Sequence, residues 1–153
     1  MHRNWKFVHV AMVVKDMEKS IRYFETLGVG PFKPFIGGAE GIPVTGTVRG
    51  RKVDYDMDLR MGEGGMGGAP IELIQPLKGR TIYDEFLEEK GEGVHHLCFI
   101  VEDLDKETAK MAKKGYKVLQ TGATSGAKWA YFDTDRDGGV VTELAQPLGK
   151  PPA

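Results

Sequence analysis

The chain has 153 residues, 41% of them hydrophobic and 28% charged, with a formal net charge of −1. This is the composition of an ordinary soluble domain, and it gives no net field that would recruit nucleic acid or an anionic membrane. No apolar run approaches the roughly 20 residues needed to span a bilayer, Met1–Lys6 leads into no signal-like stretch, and a single cysteine, Cys98, excludes an internal disulfide and fits a reducing, cytoplasmic setting.

Residues 7–14, Phe-Val-His-Val-Ala-Met-Val-Val, are β-branched and apolar and predict a buried strand. Asp16 is placed to cap a helix over about 17–27, with Ile21, Phe24 and Leu27 on one stripe and Gly28 and Gly30 as its stop. Residues 35–51 read as a long loop. Val53 to Met61 alternates strictly: Val53, Tyr55, Met57, Leu59 and Met61 against Asp54, Asp56, Asp58 and Arg60. That pattern is a strand with one apolar and one polar face. The glycine-rich run 62–68 reads as a hairpin loop. It has no following Lys-Ser/Thr and opens no helix, which excludes a phosphate-binding P-loop. Pro70 to Ile74 is a strand, and residues 81–90 form a connecting helix with Ile82, Phe86 and Leu87 on its apolar side. Residues 94–101 predict a second buried strand, in which Cys98 reads as a small hydrophobe rather than a nucleophile. Asp103 caps a helix over 104–114, and Gly115 ends it. Lys117–Gln120, Lys128–Asp133 and Val140–Ala145 read as strands, with Asp137-Gly138-Gly139 as a hairpin turn. The tail from Pro147 has little capacity for regular structure, and His2 is expected to be disordered.

The order of elements repeats. Glu72-Leu73-Ile74-Gln75-Pro76-Leu77 returns as Glu143-Leu144-Ala145-Gln146-Pro147-Leu148, and His9–Met17 is matched by His96–Leu104. His9 precedes Gly28 by nineteen residues, and His96 precedes Gly115 by the same number. The chain is therefore a single α+β domain of two tandem βαβββ modules, about 5–78 and 92–148, joined by the helix at 81–90. Each module carries one His near its start and one Glu near its end.

Strand alternation tests whether these four residues meet. Val8, Val10, Met12 and Val14 share one face, as do Leu97, Phe99 and Val101, and these apolar sets are expected under the helices. His9 and His96 then point to the opposite face, toward a common concavity. Glu72 and Glu143, flanked by apolar neighbours, point the same way. A carboxylate in the middle of an apolar strand is costly unless paired or metal-bound, and this chain has two at equivalent positions. His9, Glu72, His96 and Glu143 are therefore expected to bind a metal. Strict alternation sends His95 to the other face, as a structural residue or a support for a ligand.

The stretches Gly93-Val94-His95-His96-Leu97-Cys98-Phe99-Ile100-Val101, Gly138-Gly139-Val140-Val141-Thr142-Glu143-Leu144 and Ile71–Leu77 resemble the vicinal oxygen chelate superfamily of glyoxalases, bleomycin-resistance proteins and dioxygenases. They look most like its methylmalonyl-CoA epimerase branch, over nearly the whole chain. The resemblance implies a cupped mixed β-sheet with helices on its outer face, a homodimer, and the second His of the pair as the ligand. It departs at Gly126–Thr134, which lacks the segment typical of epimerases, and at Glu72, where many epimerases carry Gln.

Two imidazoles and two carboxylates leave two adjacent octahedral positions for a bidentate substrate. One divalent Co, Ni, Mn, Zn or Fe ion there would stabilise an enolate formed by proton abstraction next to a carbonyl. By resemblance, Glu143 is the base. Asp56, on the polar strand face, is a candidate substrate-binding acid/base, and Trp129 and Tyr131 are candidate pocket walls. The substrate expected is an acyl-CoA or a thiol adduct, processed by an isomerase of the epimerase type. The alternatives are a glyoxalase-I-like lyase, an extradiol-type dioxygenase, disfavoured by the fourth ligand, and a non-catalytic binding or resistance protein.

Overall fold

The computed structural model describes residues 4–34, 41–64 and 68–149. Within them the chain runs β1 (Lys6–Val13), α1 (Met17–Thr26), β2 (Phe32–Pro34), β3 (Ile42–Val48), β4 (Arg51–Gly62) and β5 (Ile71–Lys78). It continues through α2 (Ile82–Glu89), β6 (Gly93–Ile100), α3 (Leu104–Lys113), β7 (Val118–Ala123), β8 (Ala127–Phe132), α4 (Asp135–Gly138) and β9 (Val141–Pro147). His2, residues 35–40 and 65–67, and the tail from 150 lie outside the described residues.

The repeated hexapeptide has two structural duties. Its glutamine reaches the start of the module's helix: Met17 N donates to Gln75 Oε1 at 2.8 Å, and Leu104 N donates to Gln146 Oε1 at 2.9 Å. Asp16 and Asp103 accept from the next exposed amides, Lys19 N at 3.0 Å and Lys106 N at 2.9 Å. Together they satisfy donors that a helix start leaves without partners. Gly28 and Gly115, at φ +76 and +86, follow the two helix ends in the left-handed conformation that favours glycine. Gln75→Ala and Gln146→Ala are each expected to destabilise by about 1 kcal/mol, and nearly additively in the double variant, because the two caps serve separate helices. Urea unfolding of the three variants checks this.

The two modules join along β1 and β6, which pair antiparallel, with β5 parallel to β1 and β9 parallel to β6 on either side. The circuit continues β5·β4·β3·β7·β8·β9, so that β3 meeting β7 closes the mixed sheet into a barrel-like cup. Helices α1 and α3 cover its outside. Under α1 lie Val14, Met17, Ile21, Val29, Ile71 and Leu73; under α3 lie Val101, Leu104, Met111, Ala130, Phe132 and Leu144. The interior is a separate apolar cluster that includes Ala11, Val13, Val44, Tyr55, Met57, Ile74 and Trp129. Helix α2, capped by a reciprocal Thr81–Asp84 box, buries Ile82 and Tyr83 in that interior. No helix of the described residues is long and apolar enough to cross a membrane.

Several sequence expectations need correction. The stretch 35–51 is not a loop throughout: Ile42–Val48 is a strand, and Ile42, Val44 and Val48 are buried inside. Its glycine, proline and threonine content hid the alternation. Residues 135–138 form a single helical turn, α4, and Gly139 at φ +75 leads out of it, so 137–139 is not a two-residue hairpin. Leu27 is the C-cap of α1 and is exposed, so the stripe that packs inward is Met17, Ile21 and the half-buried Phe24. β5 and β9 extend past the predicted ends through Lys78 and Pro147, because beyond their parallel partners they stay paired with the antiparallel strands β4 and β8.

Candidate metal centre

The four candidate ligands come from four strands that surround the module joint. His9 lies on β1, Glu72 on β5, His96 on β6 and Glu143 on β9. In register, Ala11 faces His96 and Glu72, while Cys98 faces His9 and Glu143. Ala11 and Cys98 are equivalent positions of the repeat, so the site has an approximate twofold through the β1·β6 pair. The partners of Glu72 in its strand obey the alternation: Ile71 and Leu73 pack under α1, and Ile74 packs in the interior.

Alternation fails at one place in each half. The β1·β6 register slips between Phe7 and His9 and again between Ala11 and Met12. Val8 and His95 are therefore extra residues with no partner opposite, each one position before a candidate ligand. Such bulges re-aim side chains and commonly sit beside functional sites. Val8 and His9 consequently both line the interior cavity. His95 is not sent to the outer face as strict alternation requires. It stacks against Tyr83, Phe86 and Tyr131 at ring separations of 5.4, 5.0 and 6.1 Å, and its Nδ1 lies 2.9 Å from His96 Nδ1.

One ligand atom from each of His9, Glu72, His96 and Glu143 lies within 4.8 Å of the others, and all four residues are buried. His96 Nε2 is 2.9 Å from Glu143 Oε2 and 3.9 Å from Glu72 Oε2, and His9 Nε2 is 3.6 Å from Glu143 Oε2 and in direct contact with Glu72 Oε2. Two atoms bonded to one ion at about 2.1 Å lie about 3 Å apart when adjacent and about 4.2 Å apart when opposed, so the separations match a shared cation. His9 Nε2, His96 Nε2 and Glu143 Oε2 are buried without an aligned hydrogen bond. Lone pairs and polar atoms left this way are rare in folded proteins, and a metal is the partner this donor set fits. All four candidate ligands belong to one chain.

The four groups interact electrostatically with one another. Burial pulls the His9 pKa down, but Glu72, with Cys98 and Glu143 beside it, more than reverses this and pushes it up to about 12. Burial opposes ionisation of Glu143, yet His96 and His9 hold its carboxyl well below the usual carboxylate range. Burial and the charge of Glu143 push the Cys98 thiol up to about 12, which suits the inert hydrophobe that the sequence indicated. Burial, reinforced by His96, holds His95 well below the ordinary histidine value.

Above the cluster is a cavity of about 260 Å³. Its walls include Ile42, Met57, Leu59, Met61, Ile100 and Trp129, with Tyr131, Cys98, His9, Glu72 and Glu143 deeper. Trp129 and Tyr131 are thus brought to the cavity. Asp56 is not: Tyr55, Met57 and Leu59 face inward, and alternation turns Asp54 and Asp56 outward. Asp58 is buried on that outer side against Arg60, at 2.8 Å. The apolar face of β4 is the one that lines the cup. Sequence reasoning missed Tyr83, whose hydroxyl is 2.6 Å from that of Tyr131 at the floor of the interior. Its place one residue after Ile82 and three before Phe86 was the available signal.

Comparison with known proteins agrees with the resemblance carried by residues 71–77 and 93–101. The model of the Glyoxalase/Bleomycin resistance protein/Dioxygenase superfamily matches residues 8–134. The mitochondrial methylmalonyl-CoA epimerase of Bos taurus is 28% identical over 142 residues, covering 90% of this chain and 72% of that protein. The uncharacterized protein YqjC of Bacillus subtilis is 30% identical over 86 residues, a match that spans 54% of this chain and 61% of that protein's length. Among solved structures, methylmalonyl-CoA epimerase from Mycobacterium tuberculosis has the same fold, with a TM-score of 0.67 at 20% identity over 97% of this chain and 94% of that one. A Streptomyces coelicolor methylmalonyl-CoA epimerase variant in complex with 2-nitronate-propionyl-CoA matches with a TM-score of 0.60 at 22% identity, covering 96% of this chain and 98% of that one.

Proposed function

This chain belongs to the Glyoxalase/Bleomycin resistance protein/Dioxygenase superfamily, and on that premise we propose that it is a divalent-metal-dependent isomerase of the methylmalonyl-CoA epimerase type. The observation that carries the reading is the buried set of His9, Glu72, His96 and Glu143, whose ligand atoms converge within 4.8 Å, with His9 Nε2, His96 Nε2 and Glu143 Oε2 lacking an aligned hydrogen bond. A bound divalent Co, Ni, Mn, Zn or Fe ion would supply Lewis-acid stabilisation of negative charge on the substrate's carbonyl oxygens.

The chain's own residues do the rest. Glu143 accepts the proton from the carbon next to the carbonyl, and a proton delivered from water to the opposite face of the enolate completes the epimer. Its Oε2 is buried between His96 Nε2 at 2.9 Å and His9 Nε2 at 3.6 Å without an aligned hydrogen bond, and it lines the cavity. Although burial opposes it, contact with His96 and His9 keeps Glu143 ionised at neutral pH, the form a base requires, while the same contact weakens it as a proton acceptor. Met57, Leu59, Met61, Ile100 and Trp129 surround the reacting carbon with apolar surface and keep water from competing for the proton. Trp129 and Tyr131 hold the acyl body against the cluster. The substrate proposed is a small acyl thioester carried on coenzyme A, and the working form proposed is a homodimer.

The test is solvent deuterium exchange at the α-carbon of methylmalonyl-CoA with metal restored, followed by proton NMR. Exchange with loss of stereochemical purity is expected; none with any of the five metals would sink the reading. The lyase alternative shares the proton-transfer step, and thioester formation from methylglyoxal and a thiol would identify it. Metal binding has its own readout. At a free ion concentration one hundred times Kd, the native state should gain about 2.7 kcal/mol. That is a rise in Tm of about 5–10 °C for a chain of this size, measurable by calorimetry and reversed by a chelator.

A further inference from the structure

The two histidines of the cluster occupy equivalent positions of the repeat, but their surroundings are not equivalent. Each follows a bulge residue: Val8 before His9, His95 before His96. Val8 offers no polar atom. His95 offers Nδ1, 2.9 Å from Nδ1 of His96. The outer nitrogen of His9, Nδ1, has no aligned partner. We propose that His95 is a positioning residue that fixes His96 as the anchoring metal ligand, while His9 is the adaptable one. The inference rests on the metal reading above.

The argument is one of proton count. Two imidazole nitrogens 2.9 Å apart make a hydrogen bond only if one carries the proton and the other a lone pair. His96 Nε2 faces Glu143 and Glu72 and needs its lone pair for an ion. Its proton therefore belongs on Nδ1 and is donated to Nδ1 of His95, whose own proton is then on Nε2. Partners of this kind, behind a ligand imidazole, set its tautomer and ring orientation.

His95 is itself held in place. It is buried, with Phe86 and Tyr83 of α2 edge-on to it at interplanar angles of 89° and 69°, and Tyr131 of β8 on another side. The Tyr83–Tyr131 hydroxyl contact at 2.6 Å ties those two walls together. Helix α2, which belongs to neither repeat, thus reaches the metal cluster through His95. It braces one half-site only.

Two variants and two readouts test this. His95→Leu copies the apolar character of Val8 and removes the acceptor; His95→Asn restores one, its Oδ1 standing where Nδ1 stands. Metal dissociation constants of the folded proteins, from chelator competition with Co and Zn, should rise about 10- to 100-fold for His95→Leu and return to within several-fold of wild type for His95→Asn. Proton–nitrogen NMR of the zinc-loaded protein should show a His96 Nδ1 proton shifted downfield by its bond to His95 in the wild type, and the loss of that shift in His95→Leu. Equal metal affinity in His95→Leu and wild type, or the same Nδ1 proton shift in both, would overturn the inference. A merely structural His95 would lower Tm in both variants without changing the affinity of the folded fraction. A wild type that binds neither metal would overturn the metal reading and this inference with it, whereas a wild type that binds both with unchanged affinity in His95→Leu would overturn this inference alone.

Discussion

Glu143→Gln should lose about 10²- to 10⁴-fold in α-proton exchange, while Glu72→Gln should stay within about tenfold of wild type. Both substitutions keep a side-chain oxygen on the cluster and remove one negative charge, so both leave a possible ligand. They differ in the role of the carboxylate lost. Glu72 Oε2 is held in direct contact with His9, and the superfamily resemblance allows a neutral Gln at this position. Glu143 Oε2 is 2.9 Å from His96 and 3.6 Å from His9, yet makes no aligned hydrogen bond. An amide there cannot take a proton. Metal content per chain separates the two effects: Glu143→Gln should retain bound ion and lose the rate. A metal-loaded Glu143→Gln that exchanges at the wild-type rate would remove Glu143 as the base, and an inactive, metal-loaded Glu72→Gln would transfer the role to Glu72.

That contrast depends on which residues the sequence could place and which it could not. His9, Glu72, His96 and Glu143 were legible because a duplication tests itself. One His in an apolar strand is usually a core residue, but the same His at the same offset in two modules, each with a matching Glu, has a common cause. Period-two alternation then selected Glu72 over Leu73 and Glu143 over Leu144, and the interior and outer clusters agree with it. The same rule misread His95, because it presumes an unbroken register and each half carries a one-residue slip just before its ligand. Nothing local in Val8 or His95 announces a bulge. The alternation of β4 was also read correctly as a pattern and assigned to the wrong side. A metal site suggests a polar cup, but the interior of a small closed sheet is filled by apolar side chains, and Asp54 and Asp56 are turned out of it. The glutamine of the repeated hexapeptide was visible from the start, and only the structure shows that it starts the helix while its glutamate faces inward.

The closure of that sheet gives the second large effect. Gly46→Ala should destabilise the protein by about 3 kcal/mol, the upper end of what forced overpacking costs, and lower Tm by about 6–12 °C. Gly46 lies on β3 opposite Gly122 of β7, at the seam where the two modules meet for the second time. A Cβ on Gly46 would stand 2.0 Å from the carbonyl oxygen of Thr121, 2.8 Å from its carbon and 3.1 Å from the Cα of Gly122. All three are backbone atoms, so no rotamer change relieves the clash and the strands must part. The adjoining bonds would part with them, including Thr47 N to Thr121 Oγ1 at 3.0 Å. Gly138→Ala is the control, since a Cβ there meets nothing within 4 Å, and it should change stability by no more than about 0.5 kcal/mol. Thermal melts of the two variants decide the matter, and a Gly46→Ala protein that melts with the wild type would mean that β3 and β7 do not close the sheet. The candidate metal centre lies at the other joint, β1 with β6. A Gly46→Ala protein that still folds below its lowered Tm should therefore retain metal and lose substrate affinity, because Ile42 on β3 and Thr124, just beyond β7, line the cavity on either side of the opened seam.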